Sequence, residues 1–189
     1  MSESLPNTVL ALGANLNLRG NEPKVTLQKA LGSFERHGVM IRTTSRFFAT
    51  PCFPIGAGPD YVNAAVSVET SKSPADLLAT LHDIESAFGR EREQRWGMRT
   101  LDLDLICYGD FVRPDRHVFD HWRGLPQKAQ RERAPEQLIL PHPRLQDRAF
   151  VLVPMADVAP DWRHPVLDLT VTQMIARLAA EEVASVVPL

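Results

Sequence analysis

The chain has 189 residues, 44% hydrophobic and 23% charged, with 21 Lys and Arg set against 23 Asp and Glu. That length fits one compact domain, 1–189, while a net charge of −2 and a pI near 6.3 argue against a binder of nucleic acid or of a charged membrane surface. No apolar run approaches the roughly 20 residues that span a bilayer, Met1 to Thr8 lacks the charge of a secretory signal, and Cys52 and Cys107 read as reduced core residues, so a cytoplasmic protein is expected.

Asn7 to Gly13 is a short apolar run closed by Gly-Ala-Asn, a buried strand entering a loop. Asn21-Glu22-Pro23 offers an N-cap with proline just inside a helix. Leu27, Ala30, Leu31 and Phe34 carry that helix to about His37. Val39 to Thr50 is rich in β-branched and aromatic residues and reads as one strand. Pro51 to Pro59, with three prolines and two glycines, is a loop. Tyr61 to Thr70 alternates: Val62, Ala64, Val66 and Val68 face one way, Tyr61, Asn63, Ser67 and Glu69 the other. Ser73-Pro74 opens a second helix with Leu77, Leu81, Ile84 and Phe88 on its buried stripe, and Leu101 to Tyr108 is a further strand.

The expected fold is α+β: a ferredoxin-like βαββαβ antiparallel sheet with its helices on one face and the other face free. From Arg113 to Gln137 charge and proline replace pattern, so a long inserted loop, mobile over about 113–136, is expected there, with a short helix near Gln127 to Arg133. Helical stretches around Ala149 to Val158 and Val171 to Glu182 close the chain.

Asp102 and Asp104 are the sharpest chemical feature. Two apart on a strand, they point to one side, roughly 6.5–7 Å apart at Cα, while Leu101, Leu103 and Leu105 fix the opposite side as core. Carboxylates so placed suit hard cations shared with phosphates, although a salt-bridged strand face is the plainer reading of an isolated Asp-x-Asp. Arg90, Arg92, Arg95 and Arg99 with Trp96 precede the strand, and guanidinium groups match phosphate oxygens in pairs. Tyr61 and Asn63 add a stacking surface and a donor–acceptor edge for a heterocycle. His117 and His121 have zinc-compatible spacing but no third ligand, and read as surface residues. No G-x-x-x-x-G-K-[ST] is present, so a nucleotide would be held by side chains and metals.

The run Arg95-Trp96-Gly97-Met98-Arg99-Thr100-Leu101-Asp102-Leu103-Asp104 resembles the central motif of the 6-hydroxymethyl-7,8-dihydropterin pyrophosphokinases. Leu12-Gly13-Ala14-Asn15, Thr50-Pro51, Asp60-Tyr61-Val62-Asn63-Ala64-Ala65, Pro141-His142-Pro143 and Arg148-Ala149-Phe150 support it, from about Val9 to Pro160. The resemblance implies a monomeric folate-pathway enzyme that moves pyrophosphate from ATP to the pterin hydroxymethyl group, with two Mg²⁺ ions. It matches Asp102 and Asp104 to the metals and Arg90, Arg92 and Arg99 to the catalytic arginines around the phosphates. Thr50, Pro51, Phe53, Tyr61, Asn63, Trp96 and Phe150 match the pterin site. His82, Glu85, His142 and Arg148, with Arg90, Arg92, Trp96 and Arg99, match the ATP site.

The departures from the family pattern are His82 in place of a common Gln, Glu93 and Gln137 where basic residues occur, and the longer insertion, from which Arg116, Arg131 or Arg133 are candidate replacements. Two other readings stay open on the residues alone: a two-metal nucleotidyltransferase or nuclease, and a non-catalytic paralogue that binds pterin or nucleotide.

Overall fold

The structure is a computed structural model, and it describes residues 7–52, 56, 58–89, 99–126, 129 and 133–189. In chain order these form β1 (Thr8–Ala14), α1 (Pro23–Leu31), β2 (Met40–Thr44), β3 (Phe48–Thr50), β4 (Tyr61–Glu69), α2 (Pro74–Ala87), β5 (Asp102–Tyr108) and α3 (Arg116–Arg123). Then follow α4 (Ala149–Val158), α5 (Val171–Ile175), α6 (Ala180–Ala184) and β6 (Val187–Pro188). The sheet runs β5-β1-β4-β3-β6, with β2 also beside β4, and each of its pairings is antiparallel.

Alternation along the strands builds two cores. Leu10, Leu12, Val66, Val68, Leu103 and Leu105 turn toward α1 and α2, where Leu27, Ala30, Leu77, Leu81 and Ile84 meet them. Fully buried side chains of this kind contribute about 1.5–3 kcal/mol each. Pro74 at the start of α2 is preceded by Ser73, whose Oγ accepts the Asp76 N–H at 3.2 Å. Helix α1 stops at Leu31, and Phe34, fully buried, belongs to the turn that follows rather than to the helix.

The opposite face, which the sequence leads us to expect to be free, is covered instead. Val9, Ala65 and Ile106 pack there against Val151, Leu152 and Met155 of α4 and Val171 and Met174 of α5. Ala11 and Ala65, neighbours in register, are small enough for a helix to lie close. A register shift between Val9 and Leu10 leaves Ile106 as an extra residue, which turns both Ile106 and Cys107 into this second core. Tyr61, Asn63, Asp102 and Asp104, at one end of that face, lie outside this second core.

Three further expectations are corrected. Val39 to Thr50 is two strands, because Ser45 breaks the ladder: its N–H donates to Ala65 O at 2.9 Å, and its hydroxyl, instead of its carbonyl, accepts the Ala65 N–H at 2.9 Å. The described part of the 113–136 insertion is not structureless. Asp115 caps α3 through the Val118 N–H, and Phe119 is fully buried against His164, ring centroids 5.5 Å apart. The helix expected at Gln127 to Arg133 falls largely outside the described residues. Val171 to Glu182 is two short helices, α5 under a Thr170–Gln173 capping box and α6 after a break, and the chain then adds β6 beside β3.

Cys52 and Cys107 are both buried and unbridged. Among the described residues no helix is long and apolar enough to cross a membrane.

Candidate active site

Strand register sets the site. Gly13, in the middle of the sheet, has Asp102 as its partner on β5 and Asn63 as its partner on β4, and Asn63 in turn faces Phe48 on β3. The next row on the same face reads Asp104, Ala11, Ala65. Asp102 and Asp104 are therefore neighbours along β5, half-buried, while Leu101, Leu103 and Leu105 behind them are 0%, 2% and 4% exposed.

The positive partner of this pair is Arg99, whose guanidinium makes an ion pair with Asp102. Burial works against its charge, but Asp102, Asp104 and Tyr61 outweigh burial and hold it above the ordinary arginine value. Arg148, at the mouth of α4, is held below its ordinary value by burial; Asp104 and Asp102 draw it up and Arg99 opposes them. Both arginines thus act on the same two carboxylates. Two carboxylates of this kind, open on one side, fit hard divalent cations that complete their shell with water and phosphate oxygens. No cluster of three or more His, Cys, Asp or Glu that could hold a metal ion occurs among the described residues.

On the β4 side Asn63 is 7% exposed, and its Nδ2 donates to Thr50 Oγ1 at 2.7 Å. Its Oδ1 lies over Gly13: a Cβ at position 13 would sit 2.9 Å from it and 3.9 Å from Tyr61 Cδ1. Tyr61 is half-buried, and burial raises its phenol, with Arg99 pulling the other way. Thr50 pairs with Tyr61 in register. Phe150 is 40% exposed in the first turn of α4, with the Arg148 guanidinium 5.6 Å from its ring centre. Its neighbour Ala149 packs on Phe48, which brings that turn above the Asn63 row.

The outer edge of β5 carries other expected residues. Glu85 on α2 is 1% exposed and its Oε1 accepts the Leu103 N–H at 2.7 Å, so it braces the strand from inside rather than lining the open face. The His142 N–H donates to Ile106 O at 2.8 Å. Burial, then Arg148 and Arg144, push the His142 imidazole down to about 3. Its Nδ1 accepts the Arg144 N–H at 3.2 Å, so the neutral ring carries its proton on Nε2. His82 is half-buried on α2, and Pro51 is exposed. Phe53, Arg90, Arg92 and Trp96 lie outside the described residues, as do Glu93 and Arg131.

Of the candidate replacements, Arg133 lines a cleft of about 660 Å³ together with Gln137, Trp122 and Glu136. Arg116 is instead paired with Asp120 at 2.9 Å on α3. His117 and His121 are exposed on the same helix, as read.

Residue reading missed Asn15, which is 2% exposed and joins the loop after β1 to Arg99 and to Pro59. It also missed Asp60, whose Oδ1 accepts the Cys52 N–H at 3.3 Å. Both occur in the family-like motifs, but neither carries chemistry that composition or spacing would single out.

Paired carboxylates beside arginines, with an amide and aromatic rings near them, are the kinds of group that phosphotransfer to a ring-bearing acceptor employs. Comparison with known proteins agrees with that class. Residues 9–160 match the family described as 7,8-dihydro-6-hydroxymethylpterin-pyrophosphokinase (HPPK), and the chain belongs to this family. It is 39% identical over 185 residues to the 2-amino-4-hydroxy-6-hydroxymethyldihydropteridine pyrophosphokinase of a Synechocystis strain, covering 95% of this chain and 80% of the relative. The enzymes of the same name from Pseudomonas aeruginosa and Haemophilus influenzae are 37% and 34% identical, covering 82% and 95% of this chain and 82% and 97% of theirs. Among solved structures, a Plasmodium falciparum HPPK-DHPS superposes with a TM-score of 0.64 at 17% identity, over 93% of this chain and 45% of that one. That likeness is one of fold, and this chain spans less than half of the solved protein.

Proposed function

We propose that this enzyme transfers pyrophosphate from ATP to the hydroxymethyl group of 6-hydroxymethyl-7,8-dihydropterin on the open end of its sheet, releasing AMP and the pterin diphosphate. The observation that carries the reading is the row Asp102–Gly13–Asn63. A carboxylate and a heterocycle-reading amide stand on strands two spacings apart, about 10 Å, and the residue between them in register is a glycine without a side chain. Phosphates over β5 and a pterin over β4 would meet above Gly13.

In this reading Tyr61 and Phe150 stack on the two sides of the pterin. Asn63, steadied by Thr50, bonds its edge, with Pro51, Phe53 and Trp96 closing the pocket. Arg90, Arg92 and Arg99 hold the transferring phosphates as the catalytic arginines. His82, Glu85, His142 and Arg148 form the nucleotide side, with Glu85 acting through the strand it braces, and the family motif assigns Trp96 to the same ligand.

Asp102 and Asp104 would hold two Mg²⁺ ions, which when bound supply charge neutralisation at the β- and γ-phosphates and lower the proton affinity of the attacking hydroxyl. The hydroxymethyl oxygen forms a bond to the β-phosphorus, the bond from that phosphorus to the oxygen of the AMP phosphate breaks, and the hydroxyl proton passes to solvent. Arg99 supplies fixed positive charge where the phosphates gather negative charge. Neutral His142 donates a hydrogen bond from Nε2 and takes no part as an acid near pH 7.

Taking β2 and β3 as one bent strand, the order of elements supports a ferredoxin-like reading with one domain over 1–189. We further infer a cytoplasmic monomer acting on two small molecules, with neither nucleic acid nor membrane as partner. ³¹P NMR of protein with ATP, Mg²⁺ and the pterin tests the reaction: AMP and a diphosphate ester are expected. Accumulation of ADP, or ATP loss that ignores the pterin, overturns it.

A further inference from the structure

The carboxamide of Asn15 is a bridge between the two halves of the site. Its Oδ1 accepts the Arg99 N–H at 2.8 Å, and its Nδ2 donates to Pro59 O at 3.1 Å. The backbone N–H groups of Asn15 and Leu16 both donate to Arg99 O, at 3.0 and 3.2 Å. Arg99 is thus gripped at both its N–H and its carbonyl by residues 15 and 16. From Arg99 the connection continues through its guanidinium to Asp102. From Pro59 it continues to Asp60, which holds the Cys52 N–H and so closes the 51–60 loop between Thr50 and Tyr61.

We propose that Asn15 is a positioning residue that fixes the phosphate-side arginine and the pterin-side loop at one spacing, a role that rests on the functional reading above. A planar amide suits this task. Its oxygen and nitrogen are held at one short separation, so the acceptor serving Arg99 and the donor serving Pro59 cannot move independently. At 2% exposure the bridge excludes competing water, and both bonds gain from the surrounding low dielectric. A solvent-facing hydrogen bond at the same place would not transmit position, because water would replace it at little cost.

Asn15→Asp separates the two bonds. It keeps the acceptor for the Arg99 N–H, but when ionised it turns a carboxylate oxygen, not a donor, toward the Pro59 carbonyl. The pterin KM of N15D should therefore rise by about tenfold at pH 8, the loss of one buried hydrogen bond. Titration with a non-hydrolysable ATP analogue and Mg²⁺ should change less than about threefold, since the Arg99 grip survives. Asp60 is exposed, so Asp60→Ala should keep the fold, and it should likewise raise the pterin KM.

Hydrogen exchange of the protein alone reads the bridge without any assay of activity: in N15D at pH 8 the Cys52 amide should exchange faster while the Arg99 amide stays protected. A pterin KM equal to wild type at pH 8, equal weakening of both ligands, or unchanged exchange at Cys52 would overturn the proposal. Wild-type protein that forms no AMP would overturn the functional reading instead, and leave exchange to judge the bridge.

Discussion

Asn63 Oδ1 occupies the space that a side chain on Gly13 would need, since a Cβ there would lie only 2.9 Å away. The Asn63 amide cannot retreat freely, because its Nδ2 is bonded to Thr50 Oγ1 at 2.7 Å. Glycine in mid-strand costs roughly 0.5–1 kcal/mol of stability relative to alanine, and here it leaves the floor of the open face flat. Gly13→Ala should keep the fold but push Asn63 off Thr50, raising the pterin KM by about tenfold or more through loss of a buried hydrogen bond. Steady-state kinetics with a parallel ATP-analogue titration checks this; an unchanged pterin KM contradicts it.

Asp102 and Asp104 should separate in stability while agreeing in activity. Neither carboxylate faces the core, so Asp102→Asn and Asp104→Asn create no cavity, and each should lower kcat by at least about a hundredfold through lost phosphate charge compensation. Asp102 also forms an ion pair with Arg99. Asp102→Asn should also cost about 1–2 kcal/mol of stability for a half-buried pair, read as a shift in urea midpoint. Wild-type activity in either variant at saturating Mg²⁺ would remove the metal assignment.

Tyr61 works as a ring in this account. Burial raises its phenol above the ordinary value, so it stays neutral across the working pH range. Tyr61→Phe should retain kcat and pterin KM within about threefold, whereas Tyr61→Ala should lose stacking of about 1 kcal/mol or more and raise that KM accordingly. A Phe variant as damaged as the Ala variant would show that the hydroxyl, and not the ring, holds the ligand.

His164 links stability to pH. It is fully buried, its Nδ1 accepts the N–H groups of Val166 and Leu167, and burial, with Arg123 and Arg116 nearby, lowers it to about 4. The unfolded chain, with an ordinary imidazole near 6.5, takes up the proton first. Its contribution is therefore complete above pH 6.5 and is lost as pH falls toward 4, at about 1.4 kcal/mol per pH unit. His164 should contribute roughly 2 kcal/mol to the difference between urea unfolding at pH 7 and at pH 5, and His164→Gln should reduce that difference by about this amount. An identical pH slope in wild type and variant would mean that His164 titrates normally.

The half of the site that follows strand alternation was legible in the residues. Leu101, Leu103 and Leu105 declare one side of β5 to be core, which sends Asp102 and Asp104 to the other, and Val62 to Val68 do the same for Tyr61 and Asn63. What alternation does not encode is register, so the placing of Gly13 between Asp102 and Asn63 emerges only from the pairing. Nor does a local pattern say which surface a nearly all-apolar helix will cover. Ala149 to Val158 reads as a helix, but its seat on Val9, Ala65 and Ile106 is a long-range outcome. Ser45 and Asn15 were missed for a related reason: each replaces or adds to backbone bonding with a side chain, and a single polar residue leaves no periodic trace.

The central claim is that both substrates meet on the open end of one sheet face. A crystal structure with Mg²⁺, a non-hydrolysable ATP analogue and the pterin tests it most directly. The account predicts the pterin between Tyr61 and Phe150 with its edge on Asn63, the β- and γ-phosphates over Asp102 and Asp104, and the hydroxymethyl oxygen in line with the β-phosphorus above Gly13. A pterin bound on the α1 side of the sheet, or phosphates held away from both aspartates, would contradict it.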